Sequence, residues 1–318
     1  MTEVGFSVII AAYQAADSIE QAVQSALAQT LPAVQVIVCD DGSTDGTATL
    51  LRDRFGDAVI VVQQENRGAL AARNAAASVA TAEWLVVLDA DDRFAPGRLE
   101  ALAACVVGVA PDVDIVTTDA LLELPDGTVF GRYYDTITFP TEDQPRRLLT
   151  GNFIFGAAAI RRSRFEAVGG YSAGRLDLSE AELWMRLVLT GSRVRLVAEP
   201  LYHYVQSSSA LTVDRSATAR HQMAALQMAI DANLVDGEYR AIAASEVTRL
   251  GSLVAAVEAR AALLERRPGS RLAAFRAARG PGLRARQRAS LLAMGALPSL
   301  AQRLWSTPRE RQSISDAR

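Results

Sequence analysis

Along the first hundred residues, short apolar runs alternate with segments whose apolar positions recur every three or four residues. Residues 6–11, 35–39, 59–63 and 84–88 have the length and composition of buried strands. Between them, residues 17–29 carry Ile19, Val23, Ala26 and Leu27 at helical spacing. Residues 45–55 read as a helix capped by Ser43 or Asp45, and residues 68–79 as an Ala-rich helix. This alternation predicts a mostly parallel sheet with helices on both faces. Ligands of such sheets gather beyond the carboxyl ends of the strands. Two acidic clusters fall at those ends, one after the second strand and one after the fourth.

The pattern changes after residue 98. Residues 99–212 mix helical and extended stretches, with a hairpin turn expected at Pro125–Gly127. Beyond residue 214 the reading is helical. Ile242, Val247, Leu250, Val254 and Val257 mark an amphipathic packing helix over 240–266. Past that helix, Pro268, Gly269 and the 280–282 Gly-Pro-Gly interrupt the helical pattern. The expected organisation is a body over 1–213, divided near residue 98, and a helical extension over 214–318.

Charge sharpens this division. The chain has a formal net charge of -3, yet residues 266–309 hold ten arginines and no carboxylate. The last nine residues are neutral, so residues 1–265 carry a net charge of -13. An acidic body excludes a nucleic-acid binder by charge and sets a basic tail apart. Interleaved leucines give that tail the composition of a peripheral membrane segment, or of a helical extension drawn to the acidic body. Cys39 and Cys105 are the only cysteines and read as small buried hydrophobes, which suits a reducing cytoplasm. The first residues carry an acid and no basic n-region, so they read as a strand and not a secretory leader. No apolar run is long enough to predict a spanning helix.

Three clusters carry candidate chemistry. Asp40, Asp41 and Asp45 lie in a Gly- and Ser-containing turn, a common strand-to-helix connection. Their carboxylates can equally accept bonds from a base or ribose edge. Asp89, Asp91 and Asp92 put three carboxylates within four residues, and their repulsion invites a hard divalent cation that bridges to phosphate oxygens. Glu180 and Glu182 lie in the first turn of a helix that also carries Leu183, Trp184 and Leu187. Acids there suit the helix dipole, and either could take a proton from a hydroxyl.

In order, the strings SVIIAAY (7–13), VIVCDDGSTDGT (36–47), ENRGALAARNAA (65–76), WLVVLDADDRFAPGRLE (84–100), FEAVGGY (165–171) and SEAELWMRL (179–187) resemble family 2 glycosyltransferases. The resemblance implies a glycosyltransferase-A fold, a Rossmann-like α/β class. It implies a nucleotide-sugar donor, usually a UDP-sugar, a divalent Mn or Mg cofactor, and inversion at the anomeric carbon. On that basis residues 1–98 form the nucleotide-sugar half and 99–213 the acceptor half. Asp41 matches the acid that reads the base, with Ala11 and Tyr13 lining its pocket. Arg73 matches an arginine near the nucleotide. Asp89 matches the ribose-side acid, Asp91 the metal ligand, and Asp92 a support for metal or sugar. Glu180 matches the general base, and Trp184 a residue on the acceptor side.

Two departures bear on this reading. The family's Glu-Asp pair is Ser179–Glu180 here, which leaves Glu182 as a rival base. The family's Tyr-Arg-x-His becomes Tyr204–Val205–Gln206–Ser207, with His203 nearby as a stand-in. The expected activity is transfer of a sugar to a glycan, lipid-linked or small-molecule hydroxyl in polysaccharide synthesis. The alternatives are a sugar-nucleotide-binding protein with weakened catalysis, and a nucleotidyltransferase. The expected location is cytoplasmic, with membrane contact through 266–309.

Overall fold

The computed structural model describes residues 4–107, 113–175, 178–206, 215–265 and 267–297. In chain order these form β1 (Phe6–Ala12), α1 (Ile19–Leu27), β2 (Gln35–Asp40), α2 (Thr47–Phe55), β3 (Ile60–Gln63), α3 (Ala69–Ser78), β4 (Trp84–Asp89), β5 (Arg93–Phe94) and α4 (Arg98–Val106). Next come β6 (Val113–Glu123), β7 (Val129–Arg132), α5 (Gln144–Thr150), β8 (Ala159–Arg161), α6 (Arg162–Ala167), α7 (Ala181–Leu189) and β9 (Arg193–Val205). The helices α8 (Arg215–Asp231), α9 (Gly237–Leu264), α10 (Ser270–Ala277) and α11 (Ala285–Ala296) complete the described chain.

One sheet organises the body, in the order β3-β2-β1-β4-β8-β6-β9-β5, with β7 added to β6. Neighbours from β3 to β4 are parallel, as the strand–helix alternation predicts. Strand β8 runs antiparallel to both β4 and β6, and β6 pairs parallel with the distant β9. Both faces of the parallel part are covered. Ile9, Ile37, Cys39, Leu85 and Val87 enter one core, while Val8, Ile10, Val36, Val38, Val86 and Leu88 enter the other. Two-sided burial explains why these strands read as continuous apolar runs. Each fully buried Val, Leu or Ile contributes roughly 1.5–3 kcal/mol.

Register places the acids. Ala11 lies beside both Cys39 and Asp89, and Ala12 beside Asp40. Strands β2 and β4 therefore each continue one residue further than the apolar runs suggest, delivering Asp40 and Asp89 to the same edge. Helix α2 starts at Thr47, two residues later than expected, with Gly46 in the left-handed region as its cap. Asp45 still serves the helix, because its carboxylate accepts from the Thr47 amide at 3.0 Å and the Thr47 hydroxyl at 2.6 Å. The hairpin expected at 125–127 joins β6 to β7.

The helical region beyond residue 214 does not pack as one unit. Ala219, Ala225 and Leu226 of α8, with Ala243, Leu250 and Val254 of α9, share the larger core of the body. A separate small core begins at Ala256. There Ala259 and Leu263 meet Ala274, Ala277, Leu283, Leu291 and Met294 of the α10–α11 hairpin. The described part of the basic tail is thus folded against the end of α9; residues 298–309 of it lie outside the described residues. Among the described residues, no helix is long and apolar enough to cross a membrane.

Candidate functional site

The first acidic turn is a closed hydrogen-bonded unit. Asp40 accepts from the Ser43 amide at 3.1 Å and from Gln63 Nε2 at 3.0 Å. Asp41, almost fully buried, accepts from Gln64 Nε2 and from the Arg67 and Gly68 amides at 2.6, 2.9 and 2.8 Å. It clamps the 64–68 loop onto the end of β2. Gly42 permits that approach: its φ is +80°, and a Cβ there would meet the Asn66 amide nitrogen at 2.9 Å. Gln14 then ties the β1–α1 loop to the same turn, through bonds between its amide groups and Ser43 and Thr44. Ala11 is half-buried beside this loop, and Tyr13 stands at its rim with its side chain 55% exposed.

The second cluster is assembled differently. Asp89 is half-buried and its Oδ1 accepts from Arg73 Nη2 at 2.5 Å. Arg73 projects from α3, lies with its guanidinium 5.8 Å from the centre of the Tyr171 ring, and leaves Nε buried without a partner. Partial enclosure, then the charge of Asp89, raises the Asp91 carboxyl above its usual range. Asp91 sits exposed at the loop tip, and among the described residues no cation pairs with it. Asp92 points inward and is buried. Burial, and next the Asp89 charge, push its carboxyl up to about 8. Its Oδ2 accepts from the Tyr202 hydroxyl at 2.7 Å and its Oδ1 from the Val205 amide at 2.7 Å. With both oxygens engaged inside the protein, Asp92 props the loop that carries Asp91 from behind.

The third cluster separates two carboxylates that the sequence could not. Glu180 is the cap of α7 and is half-buried. Its side chain rests against Gly156, where an added Cβ would stand 3.6 Å from Oε1. Among the described residues, no hydrogen bond or ion pair ties up its carboxylate. Glu182 is fully buried. Its oxygens accept from Arg186 Nε at 2.7 Å, Arg186 Nη2 at 2.9 Å and the Ser172 amide at 2.8 Å. Arg186 also donates to the Val168 and Gly170 carbonyls. Glu182 therefore builds the 168–172 loop, with its carboxylate engaged by Arg186 and Ser172, whereas Glu180 has none of these partners. Trp184, expected on the acceptor side, is fully buried in the larger core with its indole nitrogen unpartnered. It supports α7 from within.

The arrangement also recruits residues that motif reading missed. Asn74, next to Arg73, accepts from the Tyr171 amide at 2.9 Å and donates to its carbonyl at 2.8 Å, locking the Gly-Gly-Tyr turn to α3. Gly170, at φ +69°, leaves only 2.7 Å between a notional Cβ and Asn74 Oδ1. Tyr133, Phe155, Tyr202 and Tyr204 form a ring-contact chain with centroids 4.8 to 5.9 Å apart. Burial, and next the charge of Glu180, raise Tyr133 to about 12; burial and the nearby acids of the 89–92 loop raise Tyr204 to about 12. The aromatic chain therefore spans from the acidic loop toward Glu180. His203, the possible stand-in, lies on the other face of β9 from Tyr202 and Tyr204. Its Nδ1 is 2.5 Å from Glu123, which also pairs with Arg93 at 2.5 Å. Residues 207–212 lie outside the described residues.

A metal here would not sit in a protein cage: no group of three or more His, Cys, Asp or Glu side chains is gathered for one among the described residues. A single exposed carboxylate with a raised affinity for protons, Asp91, instead suits a hard divalent ion completed by phosphate oxygens.

Comparison with known proteins bears on the fold and the family. Residues 7–169 match the family model described as Glycosyl transferase family 2. The chain is 49% identical over 98 residues to succinoglycan biosynthesis protein ExoU of Rhizobium meliloti, covering 30% of this chain and 28% of that protein. It is 28% identical over 211 residues to putative glycosyltransferase EpsE of Bacillus subtilis, covering 64% and 74%. The matched segment thus spans less than a third of ExoU, although most of EpsE. In structure it is similar to S. aureus TarS 1-349 in complex with UDP-GlcNAc, with a TM-score of 0.60 and 17% identity over 94% of this chain and 88% of that one. The mannosyltransferase PcManGT from Pyrobaculum calidifontis, in complex with GDP-Man and Mn2+, matches with a TM-score of 0.54 and 22% identity over 98% and 83%. These likenesses establish a shared glycosyltransferase-A fold.

Proposed function

The chain belongs to glycosyl transferase family 2, and from that premise we propose that it transfers a sugar from a nucleoside-diphosphate donor, a UDP-sugar, to an acceptor hydroxyl with inversion. One observation carries the reading. The Asp89–Arg73 pair, the exposed Asp91 and the half-buried Glu180 converge at the carboxyl edge of the sheet, with Arg73 within the electrostatic field of Glu180. Ala11 and Tyr13 form the base side of the donor pocket, Asp41 shapes that side by clamping the 64–68 loop, and Asp89 faces the ribose. Asp91 would hold a divalent cation, Mn2+ or Mg2+, which when bound would neutralise the diphosphate leaving group. Arg73 adds a fixed positive charge on the same side. Glu180 accepts the proton of the acceptor hydroxyl as that oxygen forms its bond to the anomeric carbon. The bond to the diphosphate breaks on the opposite face, so one displacement inverts the centre and no side chain becomes glycosylated.

Incubation with a panel of nucleotide sugars and Mn2+ tests this directly. A transferase releases nucleoside diphosphate, slowly by hydrolysis or faster with an acceptor. Release of pyrophosphate would identify a nucleotidyltransferase. Tight binding with neither product would identify a binding protein.

The acceptor we propose is a glycan growing on a lipid carrier, met at an anionic membrane surface. Residues 267–297 contain seven arginines and no carboxylate. Arg271 Nε donates to the Gly295 carbonyl at 2.9 Å, which draws the start of α10 to the end of α11. Leu272, Leu292 and Leu297, all exposed, lie within three residues of that bond. Such a surface can seat leucines among acyl chains and arginines among headgroups. Full-length protein should pellet with anionic vesicles, less so in high salt, and not with neutral ones. Loss of pelleting on changing the three leucines to serine supports the surface; pelleting independent of lipid charge rejects it.

A further inference from the structure

Arg98, the first residue of α4, is fully buried, and among the described residues it has no carboxylate partner. Its guanidinium lies over two rings, 4.9 Å from the centre of Phe94 and 5.0 Å from that of Tyr202. Nη1 donates to the Thr118 hydroxyl and Nη2 to the Ala157 carbonyl at 2.5 Å, while Nε has no partner. An apolar side chain would fill this space without desolvating a charge. A planar guanidinium does something such a side chain cannot: it stacks on rings and donates to two backbone-distant groups at once.

Two routes lead from it to the reacting groups. Tyr202, held under the guanidinium, donates to Asp92 at 2.7 Å and accepts the Asp89 amide at 3.2 Å. Both ends of the acidic loop that carries Asp91 are therefore fixed by one hydroxyl. Ala157 is adjacent in the chain to Gly156, the residue against which Glu180 rests. The acidic loop and Glu180 come from parts of the chain about ninety residues apart, and Arg98 touches the support of each, stacking on Tyr202 and donating to the Ala157 carbonyl.

We propose that Arg98 is a positioning residue that sets the separation of the Asp89–Asp92 loop and Glu180, acting through Tyr202 on one side and the 156–157 backbone on the other. The proposal rests on the glycosyltransferase reading, in which the loop holds the cation and Glu180 takes the proton. Supports behind a metal ligand typically govern metal affinity by about 10–100-fold.

The test is a cycle of Arg98→Met, Tyr202→Phe and the double variant, read by UDP binding as a function of Mn2+ concentration, alongside the melting temperature. The expected result is a Mn2+ requirement raised about tenfold in each single variant and no further in the double, because both cut the same connection. Arg98→Lys should recover part of the loss. At saturating Mn2+ and donor, Arg98→Met should also lower kcat, since the support of Glu180 is lost as well. A lower melting temperature with an unchanged Mn2+ requirement, or additive effects in the double variant, overturns the proposal and leaves Arg98 a core residue. Should Arg98→Met not fold, the cycle with Arg98→Lys decides: a smaller rise in the Mn2+ requirement, non-additive with Tyr202→Phe, supports the proposal, and an unchanged requirement overturns it. Wild-type protein whose UDP binding ignores Mn2+ would instead overturn the metal-dependent reading beneath it.

Discussion

Two acidic loops close adjacent parts of one sheet edge, yet they are built to opposite ends. In the 40–45 turn every aspartate is satisfied by the protein: Asp40 by Ser43 and Gln63, Asp41 by Gln64, Arg67 and Gly68, Asp45 by Thr47 and Ala16. The bond from the Thr47 hydroxyl, with the Ala16 amide next, holds the Asp45 carboxyl below its usual value. In the 89–92 loop the shifts have the reverse sign. Burial and mutual repulsion raise Asp91 and Asp92, and among the described residues Asp91 has no compensating cation. Satisfied carboxylates make a scaffold; repelling ones store an unfavourable charge that a cation can relieve. Position at a strand end is therefore not enough to identify a reactive acid. The count of donors around it decides.

The largest effect should come from Asp91, the carboxylate that no other described residue supplies with a donor. Asp91→Asn should reduce donor turnover by about a thousandfold or more, the several kcal/mol expected of a lost Lewis acid. In the same variant the melting temperature of the metal-free protein should rise, because one repelling charge has gone. A fall in metal-free stability would break the comparison.

Next come the two glutamates of α7. Glu180→Gln should lower kcat by about a hundredfold with little change in donor affinity, as loss of a general base does. Glu182→Gln should act on stability, costing about 3 kcal/mol by leaving the partly buried Arg186 without its charge partner. Denaturant unfolding and steady-state rates on the same preparations separate the two. Interchanged profiles would return Glu182 to the cleft.

Within the satisfied loop effects should be smaller and structural. Asp41→Asn loses one accepting oxygen from a buried three-donor site and should cost about 1–3 kcal/mol whether or not Mn2+ is present. Asp45→Asn should remove a pH-dependent contribution to stability. Its carboxyl is lowered in the fold, so its contribution is complete above the ordinary value of 3.8 and is lost as pH falls through the folded one. The variant should flatten melting temperature against pH in that window, melting below wild type at neutral pH and converging on it in acid.

Legibility in the sequence divides along the same line as the chemistry. The parallel half is legible because its signals are local: apolar runs bounded by Asp, Gly and Ser announce strand ends, and register comes with them. The position of Glu180 is legible only as one of two candidates. Glu182 and Arg186 are four apart, a spacing visible in the sequence, but the Val168, Gly170 and Ser172 groups that complete their network are tertiary. Trp184 reads as acceptor-side by family resemblance, whereas its surroundings are decided by helices α5 and α8 packing against α7. The β6–β9 pairing joins segments some eighty residues apart, so neither Tyr202 beneath the acidic loop nor Arg98 beneath Tyr202 can be inferred from spacing. Apolar periodicity marks 240–266 as a packing helix but cannot tell that its first half belongs to the body and its second to the basic hairpin.

The central claim is that the 89–92 loop is an unfinished cation site and the 40–45 turn a finished scaffold. Calorimetric titration of UDP into wild type, Asp91→Asn and Asp41→Asn, each with and without Mn2+, tests it most directly. The account predicts that Mn2+ tightens UDP binding to wild type and to Asp41→Asn by a similar factor and has no effect on Asp91→Asn. Equal Mn2+ dependence in wild type and Asp91→Asn would contradict it.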